Sequence, residues 1–129
     1  MEKKRILIVD DDTDLLSSIQ IILEDRNFEV HTAATKREGL DLLKSLSPDL
    51  LIQDIMMESD LEGFGILNTL KSDPEYRKLP IIMLTGIAEA MEVNFRSAIE
   101  DADMFPNVVF LDKPVEPDVL FTEINTLLQ

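Results

Sequence analysis

Apolar runs of strand length alternate with segments of helical period from one end of the chain to the other. Residues 5–10, RILIVD, are a short continuous apolar run, and residues 13–28, TDLLSSIQIILEDRNF, place Leu15, Ile19, Ile22 and Leu23 at helical spacing. EVHTAA, residues 29–34, predicts a second strand. TKREGLDLLKSLSP, residues 35–48, predicts a helix with Thr35 as its cap, Leu40, Leu43 and Leu46 as its apolar positions and Pro48 as its stop. DLLIQD, residues 49–54, is a third strand ending in Asp54; after an irregular acidic loop, FGILNTLKSDP, residues 64–74, is a short helix stopped near Pro74. LPIIMLTG, residues 79–86, reads as a fourth apolar strand ending in Thr85. Residues 88–102 carry Ala88, Met91, Phe95, Ala98, Ile99 and Ala102 on one face, which predicts a fourth helix. NVVFLDKP, residues 107–114, is a fifth strand, and residues 116–129 form a final helix with Pro117 near its first turn.

Five apolar strands alternating with helices predict a parallel sheet covered on both faces, because only two-sided burial removes polar alternation from a strand. The expected fold class is α/β, a three-layer, doubly wound, five-stranded parallel sheet. A length of 129 residues with 45% hydrophobic content suits a single domain, residues 1–129, with one sizeable core. The formal net charge of −14 opposes a phosphate backbone, and beyond Lys3, Lys4 and Arg5 the basic residues form no stripe. Direct nucleic-acid binding is therefore not expected. The absence of cysteine excludes disulfides and thiolate metal sites and fits a reducing compartment. Only four apolar residues follow the basic start, too few for a signal-peptide core, and no window approaches a membrane span. The expectation is a cytoplasmic protein without membrane insertion.

In open sheets of this kind ligands bind outside the carboxyl ends of the strands, where the strand order reverses. The polar residues at those ends are Asp10 and Asp11 after the first strand, Asp54 after the third, Thr85 after the fourth and Lys113 after the fifth. Two carboxylates about 4 Å apart repel by roughly 4 kcal/mol at an effective dielectric of about 20, so their convergence calls for a compensating charge. A hard cation such as Mg²⁺, bound by one or two carboxylates and several waters, supplies it. Asp10, Asp11 and Asp54 can hold such a cation, which makes an aspartate approachable by an anionic phosphoryl group. That aspartate can then act as a nucleophile towards phosphorus. Lys113 would offer a point charge to one phosphoryl oxygen and Thr85 a hydroxyl donor to another. Asp12 reads as a helix start, His31 as structural, and the methionines at 56, 57, 83, 91 and 104 as packing residues.

ILIVDDD, PDLLIQDIMM, LPIIMLTG and FLDKP, in this order, resemble the receiver domain of bacterial response regulators, the CheY-like family, over essentially the whole chain. The resemblance implies a flavodoxin-like sheet with strand order 2-1-3-4-5. It implies that Asp54 is the phosphoacceptor, taking its phosphoryl group from a phosphohistidine on a sensor histidine kinase or phosphotransfer protein. Asp11, Asp54 and the backbone carbonyl of Met56 would be direct Mg²⁺ ligands, with Asp10 acting mainly through water. Thr85 and Phe110 would form a switch pair, the hydroxyl moving toward the phosphoryl group as the aromatic ring turns inward. Lys113 with Pro114 matches the family's lysine and its usual proline, and Gly86 the small residue that leaves the acceptor accessible. A module of this kind is a signalling phosphoacceptor rather than an enzyme acting on a separate substrate. It would work as a monomer or a phosphorylation-dependent dimer, and would dock a downstream protein through its fourth helix and fifth strand.

Two features depart from the family pattern. DIMMESDLEG, residues 54–63, has Glu58 where a proline is usual and Gly63 one residue late, so the loop beside the site is longer and more acidic. Thr85 and Lys113 are 113 − 85 = 28 positions apart, several more than in a typical receiver, with the added residues around the fourth helix. The alternatives are a receiver-like interaction module that takes no phosphate and a small phosphohydrolase with an aspartate nucleophile. DDDTD resembles the aspartate-x-aspartate loop of haloacid-dehalogenase hydrolases, but Asp14 stands where that loop wants Thr or Val, and the chain has little room for a cap region. A calcium loop fails because Leu15 replaces its glycine and Ile21 its terminal glutamate.

Overall fold

The computed structural model describes residues 3–54, 69–70, 72–85, 107–113 and 115–129, with only the backbone of Thr85 included. Its strands are β1 (Arg5–Val9), β2 (Glu29–Ala33), β3 (Leu50–Asp54), β4 (Ile81–Thr85) and β5 (Val108–Asp112). The helices among the described residues are α1 (Thr13–Asp25), α2 (Lys36–Leu46) and the C-terminal α3 (Pro117–Leu128). All strand pairs are parallel and the order is β2-β1-β3-β4-β5, so the predicted α/β sheet and its topology are both found. The chain winds outward from β1 in both directions. Order therefore reverses between β1 and β3, whose carboxyl ends lie side by side.

Period-two alternation divides the core into two layers. Leu7, Val9, Leu51, Ile81 and Met83 face one side and pack with Leu43 of α2, while Ile6, Ile8, Ile52, Ile82 and Leu84 face the other and pack with α1 and α3. Leu50, Leu51 and Ile52 of β3 are fully buried, each contributing about 1.5–3 kcal/mol of transfer free energy. This central strand is what two-sided burial requires. The edges differ from the uniform apolar expectation: Glu29, His31 and Thr32 of β2 and Val108 to Leu111 of β5 are only half-buried. An edge strand leaves one flank open, and polar side chains there are solvated at little cost. His31 accordingly places its Nε2 2.8 Å from Glu29 Oε2, and Arg5 Nε lies 3.1 Å from the same oxygen.

Helix α1 turns a slightly different face inward than its spacing predicts. Leu16, Ile19 and Leu23 are buried, whereas Leu15 and Ile22 are half-buried and Ile21 is 69% exposed. The apolar stripe is wide enough to allow either phase, and contact with β2 and α3 selects one. At α3, Phe121 meets Phe28 edge to face at 6.2 Å and lies 4.2 Å beneath the Arg26 guanidinium carbon. Helix α2 starts as predicted, with Thr35 Oγ1 accepting from the backbone N–H of Glu38 at 3.1 Å. It ends at Ser47, which takes the left-handed conformation (φ 48°) just before Pro48. Of the short helix predicted over residues 64–74, Thr69 and Leu70 are helical and Ser72 to Lys78 form turns. The acidic loop and the predicted fourth helix lie outside the described residues. Among the described residues, no helix is long and apolar enough to cross a membrane.

Candidate functional site

Parallel strands that all run one way deliver their last side chains to one edge of the sheet. β1 hands the chain to Asp10, and the backbone N–H of Asp10 donates to the Ala33 carbonyl at 3.1 Å, tying it to the end of β2. Its side chain is fully buried. One carboxylate oxygen, Oδ1, accepts from the Asp12 N–H at 2.9 Å, and the other, Oδ2, lies 3.1 Å from Lys113 Nζ. Burial of an acid so fully is tolerated because Oδ1 accepts a backbone hydrogen bond and Oδ2, which has no aligned hydrogen bond, lies against the Lys113 charge. Asp54, 3% exposed, ends β3 beside it, with Oδ1 3.3 Å from the same Lys113 nitrogen. Lys113 follows β5, two strands away from β3, so its long side chain spans the end of β4 to reach both acids.

The three consecutive aspartates have separate tasks. Asp12 caps α1, its Oδ1 accepting from the N–H groups of Asp14 and Leu15 at 3.1 Å each, as a helix-start reading expects. Asp11 is exposed, and one carboxylate oxygen from each of Asp10, Asp11 and Asp54 lies within 4.8 Å of the others. Three carboxylates against one ammonium leave this group with two formal negative charges, −3 + 1 = −2. Burial opposes the charge on Lys113, but its close contact with Asp10 and the charges of Asp54 and Asp10 outweigh that penalty. Its pKa is therefore raised above the ordinary lysine value.

The donor set fits Mg²⁺. It is all oxygen, and its residual charge matches a divalent ion. Of the three acids, Asp10 is the one already engaged by both Lys113 and the Asp12 N–H.

The remaining sequence candidates are only partly described. The backbone of Thr85 ends β4 in register with Asp112, and its side chain lies outside the described residues, as do Met56, Gly86 and Pro114. Phe110 is half-buried on β5, in register with Met83 and packed against the core layer that α2 covers. Gln53 was not anticipated. It is fully buried, and its Nε2 donates to the backbone carbonyl of Asp54 at 3.0 Å. The signal was available as the polar residue in the apolar run LLIQD.

Residues 6–125 match the family model described as the response regulator receiver domain. The chain is 32% identical over 126 residues to the response regulator Rre1 of Synechocystis sp., covering 95% of this chain and 51% of that protein. It therefore spans about half the length of this relative. A CheY-like receiver domain protein from Methanospirillum hungatei superposes with a TM-score of 0.79 at 33% identity, covering 98% of this chain and 94% of the other. The chemotaxis protein CheY4 of Vibrio cholerae superposes with a TM-score of 0.81 at 25% identity, covering 98% and 100%. With the sheet order, the acids at the ends of β1 and β3 and a match over almost its whole length, the chain belongs to the family of response regulator receiver domains.

Proposed function

We propose that this receiver domain takes a phosphoryl group onto Asp54 in a Mg²⁺-dependent reaction, and that the donor is a phosphohistidine on a sensor histidine kinase or phosphotransfer protein. The observation that carries this reading is the placement of the Asp54 carboxylate at a strand end, 3.3 Å from Lys113 and clustered with Asp10 and Asp11. An Asp54 oxygen attacks phosphorus, the donor's P–N bond breaks, its electron pair returns to the imidazole, and an acyl phosphate remains on Asp54. Bound between Asp11, Asp54 and the Met56 carbonyl, Mg²⁺ would supply the positive charge that lets two anions meet. Lys113 exchanges part of its contact with Asp54 for a phosphoryl oxygen, keeping Asp10 as its anchor. Thr85 donates its hydroxyl to another phosphoryl oxygen, and Phe110 turns inward behind it.

The product is a signalling state. It is read in the cytoplasm by a protein that docks on the face formed by β5 and the predicted fourth helix, with no direct contact to nucleic acid. Incubation with a small phosphodonor and Mg²⁺, followed by intact-mass measurement, tests the reading. We expect a gain of one phosphoryl group in the wild type, none in Asp54→Asn, and none when Mg²⁺ is chelated. Equal labelling of Asp54→Asn would remove the acceptor assignment. No labelling of either protein would leave a receiver fold that works as an interaction module.

A further inference from the structure

β3 contains one side chain that its burial does not explain. Leu50, Leu51 and Ile52 are fully buried and apolar, yet Gln53 is equally buried, with Val9 of β1 and Met83 of β4 as its cross-strand partners. An amide between two apolar neighbours adds nothing to a hydrophobic layer. Its Nε2 instead donates to the carbonyl of Asp54, the next residue. Adjacent side chains of a strand leave the sheet on opposite faces, so Gln53 reaches the acceptor residue only through this backbone group.

We infer that Gln53 is a positioning residue for the site: its amide holds the Asp54 carbonyl and so fixes the Cα from which the Asp54 carboxylate is aimed at Lys113 and the neighbouring acids. The inference deepens the phosphoacceptor reading and depends on it for the reaction, though not for the geometry. Rotation about the Asp54 backbone would swing its carboxylate away from a cluster spanning only 4.8 Å. A donor on the carbonyl resists that rotation from the opposite face of the sheet. The Gln53 side chain belongs to the layer covered by α2, which also includes Met83 and Phe110. A change in that layer is thereby passed to the acceptor without a charged intermediary.

The test compares wild type with Gln53→Met, which keeps length and volume but not the donor, and with Gln53→Asn, which keeps the amide but is too short to reach. Mg²⁺ affinity is measured by isothermal titration, and the rate of phosphorylation by a small donor is followed as donor concentration varies. Thermal melts without metal establish that each variant is folded. Removing a hydrogen-bond partner that orients a ligand residue costs about 10–100-fold in affinity or activity. We expect Mg²⁺ binding about tenfold weaker in both variants, and a maximal rate about tenfold lower with the half-saturating donor concentration unchanged. A role confined to packing would move the melting temperature and leave affinity and maximal rate alone, which would overturn the inference. Should the wild type bind Mg²⁺ but take no phosphate, the acceptor reading falls while weaker binding by the variants still upholds Gln53. A wild type that binds no Mg²⁺ overturns both. If Gln53→Met does not fold, Gln53→Asn decides by the same two measurements.

Discussion

Lys113 holds two acids with one charge, and its protonation is therefore linked to folding. Its folded-state pKa is raised above the ordinary value of 10.5 by Asp10 and Asp54, against the opposing effect of its burial. The stabilisation is thus fully present below that ordinary value and is lost as pH rises through the folded pKa. Lys113→Met leaves the buried Asp10 carboxylate without its cation. Breaking a buried pair costs about 3–5 kcal/mol, and with the lysine side chain 26% exposed a loss of about 1–3 kcal/mol at pH 7 is expected. Urea unfolding of both proteins from pH 7 to 12 should show the gap between them constant up to about the ordinary lysine value and narrowing above it. A gap that does not narrow would assign the stabilisation to packing of the aliphatic stem.

Helix α2 shows how an element can be set by its neighbour against its own propensity. Thr35 and Glu38 close its first turn, Glu38 N–H donating to Thr35 Oγ1 at 3.1 Å and Glu38 Oε1 accepting from the Ala34 N–H at 3.3 Å. The next residue, Gly39, lies inside the helix, where alanine would normally add about 0.8–1.0 kcal/mol of stability. A Cβ there would lie 2.8 Å from Val9 Cγ2 and 3.2 Å from Cγ1. Val9 is buried and β-branched, so it cannot rotate aside easily. Gly39→Ala is therefore expected to destabilise by about 1–2 kcal/mol despite its propensity gain. Combining it with Val9→Ala should give less than the sum of the two single losses. Additive losses would mean that the helix simply shifts outward and that the close approach constrains nothing.

For the molecule as a whole, Mg²⁺ binding at the clustered acids would be coupled to stability. A ligand bound only by the folded state at a hundred times its dissociation constant adds about 2.7 kcal/mol, roughly 10 °C in melting temperature for a domain of this size. Mg²⁺ should therefore raise the melting temperature of the wild type. Asp11→Asn removes an exposed acid from the cluster, while Asp10, which is tied to Lys113 and the Asp12 N–H, stays in place. We expect this variant to match or exceed the wild type without metal, because one like charge is gone, and to gain little from Mg²⁺. A melting temperature clearly below the wild type without metal would make Asp11 a structural residue first.

The sequence by itself determined the order of the described strands and of α1, α2 and α3 among them, the caps at Asp12 and Thr35, and the set of acids at the strand ends. The physical reason is local: apolar run length, helical period and capping chemistry are properties of neighbouring residues. Once the strands are parallel, their carboxyl ends must share an edge, so the pattern alone groups Asp10, Asp11 and Asp54. The tertiary structure decided what depends on distance between strands. Only packing chose Leu16 over Leu15 as the inward residue of α1, because a wide apolar stripe leaves the phase open. The reach of Lys113 across the end of β4 to two acids follows from a strand order that no single segment encodes. Gln53 looked like one polar letter in a buried strand; its meaning came from the 3.0 Å hydrogen bond to Asp54, a contact defined by backbone geometry that one-dimensional patterning does not contain.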